Sequence, residues 1–528
     1  MNSFQRKSLY AALAGAGALG AIPAAQAVNV NPGGLGQALI YPYYTVRSDG
    51  AGNAFNSLLT VVNSTSSVKA VKVRFLEGKD SREVIDFNLF LSAFDVWTAG
   101  VLPTSAGGQL LTNDKSCTLP PIATTQGGTG VVNFVNFAYT GTNDDKGGSS
   151  LDRTREGYVE IIEMATYGSF QTIGIAVTHA FGKTAGQPDC KPLSETTAAS
   201  TGFPPSGGLF GGMTLINVDS GSDYTEDAVA LDNFVTLRHL EGVNIYNNAG
   251  TIKPDLTNAD PVSQVLTSFN GPIGAGVITT NWTGSGNGAD AVSAVLMHDS
   301  VLNTYVLDSG TNSGTDWVVT FPTKRYYIQI GPGNNVQNSQ FKLFQRNFNT
   351  TVGSCDDIAL NIYDREENTT TTPLTFSPPP PSGINQLCWE ANVVTFNAPG
   401  SASTIFGSVN ETNIDAASLG FQNGWLRIGF NAGIGVAGST TGAIPIPIAS
   451  FSPPVHQLRA LAGSSIAVSG FGSVTTGLTL TYFGLPVVGF EAESYANGNI
   501  NGVLSNYGGN FVHKTTTLID TGNPFPAP

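Results

Sequence analysis

Val71-Lys72-Val73-Arg74-Phe75 and Ile85-Asp86-Phe87-Asn88-Leu89 decide the fold. In each run the apolar residues recur at every second position, so they fall on one face of an extended chain and the polar residues on the other. Glu77-Gly78-Lys79-Asp80-Ser81 lies between them and has the composition of a turn. With a further strand over Ser57 to Asn63, three strands follow in quick succession, the pattern of an antiparallel sandwich.

Working outward, the same reading extends through the chain. Gly130 to Phe134 and Gly157 to Glu163 suggest a second hairpin around a polar loop. Glu163 shares a face with Val159 and Ile161, so it requires a partner, which Arg153 or Arg155 could supply. Asp260-Pro261 is read as the start of a short helix through Phe269, with Pro in its first turn. Strands are expected at Ala291 to Met297, Val301 to Leu307 and Trp317 to Ile330. Asn423-Gly424, Asn497-Gly498 and Asn501-Gly502 are hairpin signals, with strands over Leu478 to Tyr482 and Val487 to Phe490.

Composition agrees. Only 12% of the 528 residues are charged, and polarity comes from Ser, Thr, Asn and 63 Gly, residues suited to turns. The expected fold class is therefore all-β. It comprises two or more antiparallel β-sandwich domains, Ig-like or jelly-roll-like, with long Gly/Ser/Thr/Pro-rich loops and few short helices. Composition shifts place domain edges near 245 and 400. This gives a sandwich over 28–245, a β-rich domain over 246–400 and a C-terminal β-rich region over 401–528. The Pro378 to Pro381 run is read as a rigid surface loop.

The first 27 residues have three zones: Arg6 and Lys7, an apolar stretch from Leu9 to Ile22, and Ala25-Gln26-Ala27 after Pro23. They match a cleavable signal peptide. The apolar stretch is shorter than the roughly 20 residues a membrane-spanning helix needs. Secretion, to the cell surface or the periplasm, is the expected localisation. Four cysteines, Cys117, Cys190, Cys355 and Cys388, form no CxxC pair, and in an exported chain they imply two disulfides. Of three possible pairings, the sequential one, Cys117–Cys190 with Cys355–Cys388, is the simplest.

Formal net charge is −14, and removal of Arg6 and Lys7 makes it more negative still. Such a surface repels phosphate backbones, so nucleic acid is not an expected partner. Asp219, Asp223, Glu226 and Asp227, with two serines and a glycine between, are read first as an acidic turn and second as oxygen ligands for calcium. No other cofactor is expected. Glu491 and Glu493 would share one strand face, where solvation explains them better than glycoside hydrolysis. Gly433-x-Gly435-x-x-Gly438 lacks the following helix that a dinucleotide site requires. None of the five histidines sits in the sequence context of a triad, and no His-Glu-x-x-His occurs.

Two stretches carry a family likeness: Val71 to Leu91 running on to Asp95-Val96-Trp97, and Tyr363-Asp364-Arg365-Glu366-Glu367 through Cys388-Trp389-Glu390. They resemble uncharacterised exported bacterial cell-surface proteins, a likeness that implies a surface location and brings no functional residues. The expected function is that of a non-enzymatic surface protein, structural or adhesin-like, with envelope glycans, extracellular glycans or copies of itself as partners. The alternative is a carbohydrate-binding or carbohydrate-degrading protein. The five tryptophans, Trp97, Trp282, Trp317, Trp389 and Trp425, separate the two: buried rings leave sugars no platform, whereas rings lining a groove beside a carboxylate pair supply one.

Overall fold

The computed structural model describes residues 27–49, 52–179, 186–235, 245–269, 274–282, 288–328, 343–344, 347–348, 353–370, 376, 385–396, 405–430, 456–460, 464–468, 474–478 and 480–520. The signal segment, Pro378 to Pro381 and the Gly433 to Gly438 motif lie outside them. The chain is all-β, built of several mainly antiparallel sheets with a few short helices.

The first residues form two facing sheets. The Val68–Glu77 and Glu83–Leu91 strands pair as the alternation predicts, Val71 opposite Leu89 and Val73 opposite Phe87. They belong to a seven-stranded sheet that also holds Ala38–Thr45, Glu156–Tyr167 and Val229–Asp232. Asn56–Asn63 goes instead to a six-stranded sheet, between Leu209–Asn217 and Val96–Pro103. Leu39, Val71, Val73, Phe87 and Val159 meet Leu59, Val61, Trp97 and Met213 between the two layers.

The other face of the seven-stranded sheet is not open to water. Ala38, Ile40, Tyr158 and Ile162 join a core that includes Trp282, Trp317 and Phe321. Val68, Ala70, Phe90 and Met164 pack on the Thr172–Val177 and Glu195–Thr201 helices. Lys72 and Arg74, on the polar face of the alternation, are fully buried. The alternation gave the pleat correctly, but a pattern of period two cannot say whether its polar side faces water or paired charge.

The C-terminal half does not divide at residue 400. Val393 to Phe396 pair in parallel with Glu411 to Ile414, Ser313–Thr320 pairs with Val488–Ile500, and Ser300–Val306 with Asn423–Gly429. The 401–528 segment is thus woven into the sheets of 246–400. Its last strands hold three sheets at once: Val488–Ile500 and Val503–Val512 in one, Lys514–Thr516 beside Ser300–Val306, and Leu518–Asp520 beside Thr481–Phe483.

Four local expectations are corrected. Val262–Phe269 is a strand paired with Gly274–Asn281, not a helix, because a long ladder outweighs the helix-start signal of Asp260-Pro261. Gly288–Leu296 is a helix buried on all sides, where a strand was expected. Its two polar side chains, Asp290 and Ser293, are themselves buried against Tyr327, so no solvated face marks its period, and its alanines favour the helix. Val131–Asn133 and Glu156–Tyr167 lie in different sheets and form no hairpin. Asn423-Gly424 opens a strand rather than a turn. Asn501-Gly502, however, is the two-residue turn between Ile500 and Val503, both residues at positive φ as a type I′ hairpin requires.

Candidate functional site

The cysteines pair sequentially, Cys117 with Cys190 and Cys355 with Cys388. Among the described residues no helix is long and apolar enough to cross a membrane.

Most titratable groups that the fold gathers are spent on buried packing. Glu163 is paired with Lys69 at 2.7 Å and accepts from the backbone N–H groups of Ser206 and Gly207. Neither Arg153 nor Arg155 is its partner. Arg153 instead bridges Glu77, Asp80 and Asp145 and lies 4.1 Å from the Tyr139 ring centre. Arg74 binds Glu83 at 2.7 Å and Glu160 at 2.6 Å. Burial holds Glu160 up at about 7 even against that guanidinium.

The acidic stretch forms the Leu209–Asn217 to Ser222–Asp227 hairpin. Asp219 sits in its turn, Asp223 and Asp227 lie on the outer face, and Glu226 points inward with Tyr224. The pleat separates these four carboxylates, and the described residues contain no group of three metal-ligating side chains.

A Ser/His/Asp set that sequence reading missed joins Ser92 and Asp95 with His179, 87 positions from Ser92 along the chain. His179 Nδ1 lies 3.4 Å from Ser92 Oγ and 3.5 Å from Asp95 Oδ2. Both partners use the same ring nitrogen. A triad needs serine and carboxylate on opposite nitrogens, so this set is not arranged to take a proton from Ser92.

The most developed polar site is at Glu491 and Glu493. Both are buried, not solvated as expected. They lie on the face of Val488–Ile500 that meets the Ser300–Val306 strand, with Glu491 beside Trp317 in register. The Thr304 hydroxyl lies 3.0 Å from each Glu491 oxygen and 3.4 Å from Glu493 Oε1. Tyr495 Oη donates to Glu493 Oε2 at 2.7 Å. One threonine hydrogen thus faces three oxygens. Burial first, and the neighbouring carboxyl second, push Glu491 up to about 9. A glycosidase needs its two carboxyls about 5 Å or more apart, flanking a scissile bond, whereas here both converge on the one Thr304 hydroxyl in a buried site.

From this pair a row of side chains runs across the neighbouring sheet. Thr304 stands opposite Trp425, and Trp425 opposite Tyr363. The two rings stack at 4.5 Å with 15° between their planes, and Trp425 is 39% exposed. Of the other tryptophans, Trp97, Trp282 and Trp317 are fully buried, while Trp389 is half-buried beneath Lys79.

Comparison of this chain with family models, with curated proteins and with solved structures finds no match.

Proposed function

We propose that this is an exported surface protein with a structural or adhesive role and no catalytic one. The observation that carries the reading is the outer face of the six-stranded sheet. Leu58, Val96, Leu111, Val131 and Phe210 are exposed there among Thr60, Thr98, Thr214 and Thr225. Asp223 and Asp227 at one edge are its charges. A broad apolar and hydroxyl-rich face suits contact with another surface. Two closed disulfides support export to an oxidising compartment, and the resemblance of the Val71 to Trp97 and Tyr363 to Glu390 stretches to exported surface proteins points the same way.

The test is Leu58→Lys with Leu111→Lys in the producing cell. Surface retention, or adherence of the cells, is expected to fall while thermal stability stays within a degree or two, because exposed positions contribute little to folding. Unchanged adherence, or intact protein with free thiols in the cytosol, refutes the proposal. A second reading, glycan binding, is favoured by the Tyr363/Trp425 stack in line with the carboxyl pair. It requires that Trp425→Ala abolish binding on a glycan array that the parent protein reads.

A further inference from the structure

Two sheet edges meet without joining. Ser222–Asp227 is an edge of the six-stranded sheet, and Val503–Val512 an edge of the five-stranded one. They run side by side closely enough that a Cβ on Gly508 would come within 2.4 Å of the Asp223 carbonyl. Among the described residues no backbone ladder links them. Two asparagines do: Asn506 Nδ2 donates to Ser220 O at 2.6 Å, and Asn510 Nδ2 to Thr225 O at 2.6 Å and to Glu226 Oε2 at 2.7 Å.

Glu226 and Asn510 leave one account open. Glu226 is buried, and buried Asn510 Oδ1 has no hydrogen-bond donor. A proton on Glu226 supplies one: acid O–H to amide oxygen and amide N–H to acid oxygen form a reciprocal pair. The other side of the same hairpin carries the Glu491/Glu493 pair, where Thr304 and Tyr495 provide two hydroxyl hydrogens for four carboxyl oxygens. There too a proton completes the set.

We propose that the Val488 to Val512 hairpin is a proton-held clasp, docked against the Ser222–Asp227 edge and beneath Thr304 while Glu226 and Glu491 are protonated and released from that edge when they ionise. The groups facing each site add no cation. Glu226 has Asp227 beside it, Met213 opposite on Leu209–Asn217 and Asn510 on Val503–Val512. Glu491 and Glu493 face Tyr495 on their own strand, Thr304 on Ser300–Val306, Thr315 and Trp317 on Ser313–Thr320, and Gly509 and Phe511 on Val503–Val512. His513, against Trp317 and Asn303, is held down at about 4 by burial and stays neutral above that. None of the three glutamates is in an ion pair among the described residues. Burial raises Glu226 to about 8 and Glu491 to about 9. Acids raised on folding favour the docked state at low pH, and that preference is lost as pH climbs through the raised values.

Hydrogen–deuterium exchange on the full chain from pH 6 to 9.5, corrected for intrinsic base catalysis, tests this. Protection of 222–227 and 503–512 is expected to fall by about tenfold or more across the range, while 68–77 stays protected. Glu226→Gln with Glu491→Gln, which keep shape without charge, should hold protection level. Asn510→Asp places a second carboxyl against Glu226, which resists its ionisation, and should move release to higher pH. Corrected protection that does not change with pH overturns the proposal. So does a Gln variant that loses it in step with the parent, or an Asp variant that leaves the midpoint in place.

Discussion

Arg74 offers the sharpest test of the two-sided burial of the seven-stranded sheet. Its guanidinium lies between Glu83 and Glu160 with no exposed surface, so Arg74→Met removes the cation and strands Glu160 among Tyr158, Tyr326 and Arg325. Breaking a buried pair from one side costs about 3 to 5 kcal/mol, because the remaining acid must keep a proton or an uncompensated charge in a dry place. An exposed pair would give only about 0.2 to 1 kcal/mol. Adding Glu160→Leu removes the fully buried one of the two acids and should recover most of the loss, since a buried pair replaced by apolar groups of similar volume is close to neutral and Glu83, partly exposed, keeps contact with water. Urea unfolding followed by tryptophan fluorescence measures both: Trp282 and Trp317 lie in the core that covers this face. The expected pattern is a large drop in the midpoint for the single variant, an unchanged slope, and recovery in the double. A single-variant loss below about 1 kcal/mol would mean that water reaches Arg74, and the reasoning about the covered face would fail.

Two further outcomes follow from local structure. Replacing Cys117 and Cys190 together by Ser should cost about 4 kcal/mol, the entropy of a closure spanning 73 positions, read as a fall in melting temperature smaller than that of the parent protein under reductant, which opens Cys355–Cys388 as well. Gly502→Val forces a branched residue to φ near 84° in the Asn501-Gly502 turn, and should lower stability in urea by about 1 to 2 kcal/mol while leaving the 68–77 sheet protected from exchange.

Much of the fold was legible because it is written at short range. The Val71 to Leu89 alternation specifies two strands and the face each turns to the core, and Asn501-Gly502 specifies a turn type. The failures share a cause. Ala291 to Leu296 is buried on every side, Ser293 included, so no solvated face remains to separate helix from strand. Asp260-Pro261 is a local signal overruled by a ladder to Gly274–Asn281.

The candidate site was hardly legible at all. Glu491 and Glu493 are two residues apart and visible together in the sequence, yet what joins them in one buried site is Thr304, brought over them from a different sheet. Ser92 and His179 meet although 87 positions separate them.

By itself, then, the sequence determined an all-β chain of alternating strands and turns, with cysteines in numbers that suit two cross-links. Whether a polar face meets water, which strands share a sheet across residue 400, and which carboxyls are forced together were decided only by tertiary structure. The physical reason is that strand pleat and turn geometry depend on neighbouring residues, whereas burial and charge pairing depend on what the rest of the chain lays over them.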